Sequence, residues 1–148
     1  MKIPIARTQL SEKEFNIIRK PLESGWVVQG PYTKEFEEKW SEFTGAKHSI
    51  AVTSCTTALH LSLAALGLQP GDEVIVPAFT WISSANVVEH LNAKVVFCDI
   101  DLKTFNIDVN QIEEKITPKT KAIIPVHLFG LSAHMYPIVY IAQKYNLW

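Results

Sequence analysis

A chain of 148 residues with 47% hydrophobic and 20% charged side chains has the size and composition of one soluble globular domain and is too apolar for intrinsic disorder. Its formal net charge of −1 and its scattered lysines exclude nucleic acid as an expected partner. No apolar run approaches the roughly 20 residues that a membrane span needs, and the start MKIPIARTQL lacks the apolar stretch of a leader. A cytoplasmic protein is expected, with no membrane partner.

The spacing of Phe15, Ile18 and Leu22 predicts a helix from Ser11 to Ser24, which Pro21 is expected to kink or end early. Gly25, Gly30 and Pro31 mark a loop. Phe36, Trp40 and Phe43 then recur at i, i+4 and i+7, which predicts an amphipathic helix from Thr33 to Thr44 with Thr33 as its cap. After Gly45 the pattern changes to short, nearly continuous apolar runs. Those at His48 to Val52, Glu73 to Pro77, Lys94 to Cys98 and Ala122 to Val126 suit strands buried on both faces of a parallel sheet. Helices are expected between and after them, at Thr56 to Leu66, Trp81 to Leu91, Val109 to Ile116 and Met135 to Tyr145, with Pro137 tolerable in the first turn of the last. The alternation predicts an α/β fold with right-handed crossovers. Cys55 and Cys98 fall in strand-like contexts without metal-ligand spacing, so neither a disulfide framework nor a metal site is expected.

Three stretches can carry chemistry. In the first, a strand runs through Thr53, Ser54, Cys55 and Thr56 into an apolar helix. Open N–H groups and hydroxyls at such a start bind phosphate, although capping is the commoner use of these residues. In the second, Trp81 follows the strand ending at Pro77. Ligands of open α/β sheets bind outside the carboxyl ends of the strands, so Trp81 either covers a planar heteroaromatic ring there or packs as core. In the third, His127 ends a strand before Gly130, where it either meets a cofactor or substrate or serves the structure alone. Asp99 and Asp101 are expected to cap a turn rather than work as a catalytic pair.

In order and spacing these pieces resemble the DegT/DnrJ/EryC1/StrS family of sugar aminotransferases. The resemblance is carried by Ser24-Gly-Trp-Val-Val-Gln-Gly-Pro31 with Phe36-Glu37; Ser54-Cys-Thr-Thr-Ala-Leu-His-Leu61; Gly67-Leu-Gln-Pro-Gly-Asp-Glu-Val-Ile-Val-Pro77; Phe79-Thr-Trp81; Asp99-Ile-Asp101; and Ile123-Ile-Pro-Val-His-Leu-Phe-Gly130. It implies the fold type I of aspartate aminotransferase, a three-layer sandwich with a mostly parallel sheet. Residues 1–148 then supply the N-terminal segment and the first part of the large cofactor-binding domain, without the rest of that domain or the C-terminal small domain.

The implied cofactor is pyridoxal 5'-phosphate, with Ser54, Cys55 and Thr56 at its phosphate and Trp81 stacked on its pyridine ring. Trp26, in the loop from Gly25 to Tyr32, and His127 are the further implied contacts to substrate or cofactor. The family's usual Asn-Gly-Thr is replaced here by Ser54-Cys-Thr, which preserves backbone donation but adds a side chain. Ser132-Ala-His-Met-Tyr136 replaces the commoner Ala-Asp-Met-Asp, so a weaker cap is expected on the last helix. The implied reaction is a two-step transamination in which a donor such as glutamate supplies nitrogen to a nucleotide-linked keto sugar. The lysine that holds the cofactor and the aspartate that pairs with its ring nitrogen are expected after Trp148. No catalytic residue is therefore expected in this chain, and the fragment alone is expected to be inactive. A sugar dehydratase of the same family and a non-catalytic remnant are the alternatives, and a homodimer is the implied assembly of the full-length form.

Overall fold

The computed structural model describes residues 7–148. Of the start MKIPIARTQL, Met1 to Ala6 lie outside the described residues. The chain groups into two compact units, Met1–Ala51 and Val52–Trp148.

The first unit holds α1 (Glu12–Ser24) and α2 (Pro31–Thr44). Ser11 and Glu14 form a reciprocal capping box at the start of α1, satisfying two of the donors that every helix start leaves open. Contrary to expectation, α1 runs through Pro21 to Ser24 and ends at Gly25, whose φ of 71° supports the left-handed cap. Pro21 withholds an N–H from the Ile17 carbonyl one turn back, and Ser24 Oγ donates to the Pro21 carbonyl at 2.8 Å. The second helix starts earlier than predicted. Gly30 rather than Thr33 is its cap, without a side-chain hydrogen bond, and Pro31 takes the first helical position, where a ring-locked φ is suited. Neither helix has a buried residue, so the stripes of α1 and α2 lie open. The predicted strand from His48 to Val52 does not form. Its apolar residues have no ladder neighbour among the described residues, and a strand without a neighbour leaves its backbone groups unpaired. Glu37 Oε1 instead accepts the Ala51 N–H at 2.8 Å.

The second unit is an α/β layer structure. Its elements are α3 (Cys55–Ala65), β1 (Glu73–Pro77), α4 (Ser83–Glu89), β2 (Lys94–Cys98), α5 (Val109–Ile112), β3 (Thr120–Ile123) and α6 (Met135–Tyr145). The three strands are parallel in the order β2-β1-β3. β1 is central and buried along its whole length. Its alternation divides the core: Val74 and Val76 pack with Leu63, Val87 and Val88 on the α3/α4 side, while Ile75 packs with Ile112, Ile123, Ile138 and Ile141 on the α5/α6 side. Each such side chain withdrawn from water contributes about 1.5–3 kcal/mol, so the near-continuous apolar run of β1 has a direct cause in being covered twice.

Elsewhere the elements depart from the sequence expectation for local reasons. β2 is an edge strand and is only partly covered. β3 lies earlier than the predicted Ala122 to Val126, because Pro125 has no N–H to continue the ladder, and Ile124 makes the last step by donating to the Ile75 carbonyl at 2.9 Å. The helix expected from Val109 to Ile116 is one short α-helical turn that tightens into a 3-10 turn over Glu113–Lys115. α4 is shorter than predicted at both ends. α6 has the predicted bounds, with Pro137 in its first turn, and its cap residue His134 makes no side-chain cap bond. Cys55 opens a helix rather than lying in a strand. Among the described residues no helix is long and apolar enough to cross a membrane.

Candidate functional site at the carboxyl end of the sheet

The site begins with the direction of α3. From its end the chain turns at Gly67, whose φ is 75°, and enters β1 at Glu73. An 11-residue helix is about 16 Å long, and a five-residue strand spans about the same length. The start of α3 is therefore level with Pro77, the carboxyl end of β1. α4 packs on α3 and starts at the same end, directly after the turn from Ala78 to Ile82. The side-by-side run of the two helices is marked by His60 and His90, whose ring centroids lie 6.0 Å apart.

At the start of α3, Ser54 is the cap residue, and its Oγ accepts the Thr57 N–H at 3.1 Å. Thr57 Oγ1 lies 3.0 Å from Ser54 Oγ and 3.2 Å from Thr53 Oγ1. The side chain of Ser54 is thus committed to capping. The N–H groups of Cys55 and Thr56 are not: among the described residues neither has an acceptor. Two parallel, unpaired donors at the positive end of a helix, bordered by hydroxyls, have the chemistry of an anion cradle. The Cys55 side chain is exposed and leaves its own backbone donor open.

Trp81 is 78% exposed, which sets aside its reading as core. Its turn is fixed at both ends. The Ala78 N–H donates to the Cys98 carbonyl at 2.8 Å, and the Trp81 carbonyl accepts the Ser84 N–H at 3.0 Å. His127, after β3, lies at the same end of the sheet, and its Nδ1 accepts the Ala133 N–H at 3.0 Å. That bond places the proton of the neutral imidazole on Nε2 and ties the loop that leads to α6. Trp26 belongs to the first unit. Its indole N–H donates to the Gln29 carbonyl at 2.9 Å, and the ring lies so close over Gly30 that an added Cβ there would stand 1.6 Å from Nε1. The fold therefore gathers Ser54, Cys55, Thr56, Trp81 and His127 at one sheet end within one unit.

The acidic residues behave as turn formers. Asp101 Oδ1 accepts the N–H groups of Lys103 at 2.8 Å and Thr104 at 2.9 Å, and these bonds hold its carboxyl below the ordinary aspartate range. Asp99 Oδ1 accepts the Ile100 N–H at 2.8 Å. Sequence reasoning missed Asn106. It is buried and bridges two loops: Nδ2 donates to the Leu131 carbonyl and Oδ1 accepts the Leu128 N–H, both at 3.0 Å. No local pattern announces an amide whose partners are 22 and 25 residues away.

A parallel sheet covered by helices on both faces is the architecture of the pyridoxal-phosphate-dependent transferases of fold type I. The sugar aminotransferase Spr1654 of Streptococcus pneumoniae in its PMP form superposes with a TM-score of 0.89 at 39% identity, over 97% of this chain and 36% of that one. GDP-4-keto-6-deoxymannose-3-dehydratase superposes at 0.90 with 32% identity, over 99% of this chain and 39% of that one. The chain belongs to the DegT/DnrJ/EryC1/StrS aminotransferase family, whose sequence model matches residues 8–148. Its relatives include GDP-perosamine synthase of Caulobacter vibrioides, 44% identical over 147 residues, which are 99% of this chain and 40% of that protein. The chain thus spans well under half the length of the relatives it matches.

Proposed function

We propose that residues 1–148 form the phosphate- and ring-binding side of a pyridoxal-phosphate-dependent aminotransferase acting on nucleotide-linked keto sugars. The observation that carries this reading is the pair of unpaired N–H groups on Cys55 and Thr56 at the same sheet end as the exposed indole of Trp81. The residues fit the cofactor at its two least reactive parts, with the helix start and the hydroxyls of Thr53 and Thr56 for the phosphate and Trp81 for the flat face of the pyridine ring. When bound, the cofactor supplies an electron sink for moving an amino group. These residues bind and orient it, and Trp81 shields one ring face from water. His127 is proposed to donate from Nε2 to an acceptor on cofactor or substrate, and Trp26 to contact substrate.

The printed activities of relatives, GDP-perosamine synthase among them, support a nucleotide-linked sugar as substrate. A lysine that holds the cofactor and an acidic partner for its ring nitrogen are proposed to come from protein length outside residues 1–148, as are the remaining domains. Turnover, the amino donor, for which glutamate is proposed, and homodimer formation belong to that full length. The likeness to a keto-deoxymannose dehydratase supports a second reading, elimination in place of amination, on the same cofactor site.

The test is a titration of the chain with pyridoxamine 5'-phosphate, which needs no covalent lysine, followed by tryptophan fluorescence. Saturable quenching is expected. Trp81→Phe should abolish most of it, and pyridoxamine without phosphate should bind at least roughly tenfold more weakly, since hydrogen bonds to charged groups contribute about 1.5–3 kcal/mol. Equal binding of the two compounds, or quenching untouched in Trp81→Phe, would overturn the reading. In a full-length form, amino transfer to a keto-sugar nucleotide separates the aminotransferase from the dehydratase.

A further inference from the structure

The chain from Asp99 to Asp108 folds into a tight hairpin. Asp108 N–H donates to the Asp99 carbonyl at 2.9 Å, Asp101 N–H to the Asn106 carbonyl at 2.9 Å, and Phe105 N–H to the Asp101 carbonyl at 2.7 Å, around an antiparallel bridge between Ile100 and Ile107. The Asp101 carboxylate fills the turn from inside, and the Thr104 hydroxyl accepts the Asn106 N–H at 3.3 Å. Inside this frame Phe105 has a φ of 59°. A bulky side chain in the left-handed region costs on the order of 1–3 kcal/mol and persists only where surroundings over-determine it.

That conformation directs two successive side chains to two different loops. Phe105 meets Phe79 with ring centroids 5.8 Å apart and planes tilted by 48°. Phe79 follows Ala78 in the turn that bears Trp81; backbone bonds tie the two ends of that turn, Thr80 Oγ1 lies 3.3 Å from Ser84 Oγ, and the ring contact joins the turn to the hairpin. Asn106, 4% exposed, reaches the other way and binds both Leu128 and Leu131, which bracket the loop leaving His127. The hairpin follows β2 at the edge of the sheet and reaches the loops that leave β1 and β3, so it spans the carboxyl end of the sheet.

We propose that the Asp99 to Asp108 hairpin is the positioning block of the candidate cofactor site, with Phe105 setting the turn that carries Trp81 and Asn106 setting the loop that carries His127. It rests on the cofactor reading above for its functional meaning, but not for its geometry. Phe105 and Asn106 touch neither cradle nor ring and act through Phe79 and the 128–131 backbone.

The test uses the chain labelled with 5-fluorotryptophan, in which the Trp81 fluorine resonance is identified by its loss in Trp81→Phe. Phe105→Gly removes the ring at a backbone conformation that glycine adopts freely, so the hairpin keeps its shape. The Trp81 resonance should shift or broaden, affinity for pyridoxamine 5'-phosphate should fall roughly three- to tenfold, and Phe105→Tyr should restore both. Asn106→Ala should move the imidazole resonances of His127 while leaving that of Trp81 in place. A Trp81 resonance that Phe105→Gly leaves unmoved, or that Phe105→Tyr fails to restore, overturns the proposal. Should the Trp81 resonance respond as stated while even the unaltered chain binds no pyridoxamine 5'-phosphate, the positioning relationship stands and the cofactor reading falls.

Discussion

Cys98 is buried in β2 with its Sγ 3.7 Å from the carbonyl oxygen of Asp108, so the two ends of the Asp99 to Asp108 hairpin close directly over a thiol. Burial pushes that thiol up to about 11, because a thiolate there would lose its water. Cys55, by contrast, is exposed at the start of α3.

The two thiols should therefore separate chemically. At pH 8 an aromatic disulfide reagent is expected to titrate one thiol per native chain, Cys55, and a second only after denaturation. Pyridoxamine 5'-phosphate should slow the first reaction if the cradle is the binding site. Two fast thiols in the native chain would contradict the buried position of Cys98.

Donation from the backbone can be tested without touching the cap. Ser54 has φ −161° and ψ 162°, the extended conformation that a residue before proline prefers, and Cys55 is the first helical residue, where proline is well tolerated. Cys55→Pro should therefore leave thermal stability within about 0.5 kcal/mol yet weaken pyridoxamine 5'-phosphate binding roughly tenfold or more by deleting one N–H. Ser54→Ala should do the reverse. It should cost about 1 kcal/mol in denaturant unfolding with little change in binding, since its oxygen already serves Thr57.

Glu73 gives the fold an acid-sensitive point at the entry to β1. It is buried, accepts from Thr117 Oγ1 at 2.5 Å and pairs with Lys94 Nζ at 3.0 Å. The Thr117 hydrogen bond first, and the Lys94 bond second, hold its carboxyl below the ordinary glutamate range. A carboxyl lowered on folding stabilises the native state above its unfolded value, and that contribution disappears as pH falls through the lower folded value. Unfolding midpoints should thus drop below about pH 4.3 more steeply in the unaltered chain than in Glu73→Gln. At pH 7 the variant should be about 1–3 kcal/mol less stable. Parallel acid curves for the two proteins would disprove the assignment.

Gly30 is required by a neighbour rather than by its own backbone. Its extended φ of 175° suits any residue, yet the indole of Trp26 occupies the space of a Cβ. Gly30→Ala should expel the ring and break its bond to Gln29, seen as a displaced Trp26 fluorine resonance. Helix content should hold, because α2 keeps Pro31 at its start. An unmoved Trp26 resonance would contradict the contact.

Much of the second unit was legible one segment at a time. β1 and β2 lie where their apolar runs begin and end, and α6 starts and stops at the predicted residues, because composition and turn residues act over a few positions. The open donors were legible for the same reason: a segment that passes through Thr53 and Ser54 into an apolar helix must leave N–H groups unpaired at the helix start. What capping does to those donors was not, since only the bond from Thr57 to Ser54 shows which oxygen is used and which N–H groups remain.

The sequence by itself determined the class of fold and, within the second unit, the alternation of strands and helices from β1 to α6, consequences of local periodicity and chain direction. The tertiary structure alone decided three things. His48 to Val52 failed to become a strand because pairing needs a neighbour that local propensity cannot provide. Pro21 stayed inside α1, which ends instead at the left-handed cap of Gly25. Phe105 and Asn106 acquired their partners from loops distant in sequence, because a hairpin crossing the sheet end makes neighbours of segments that no spacing rule connects.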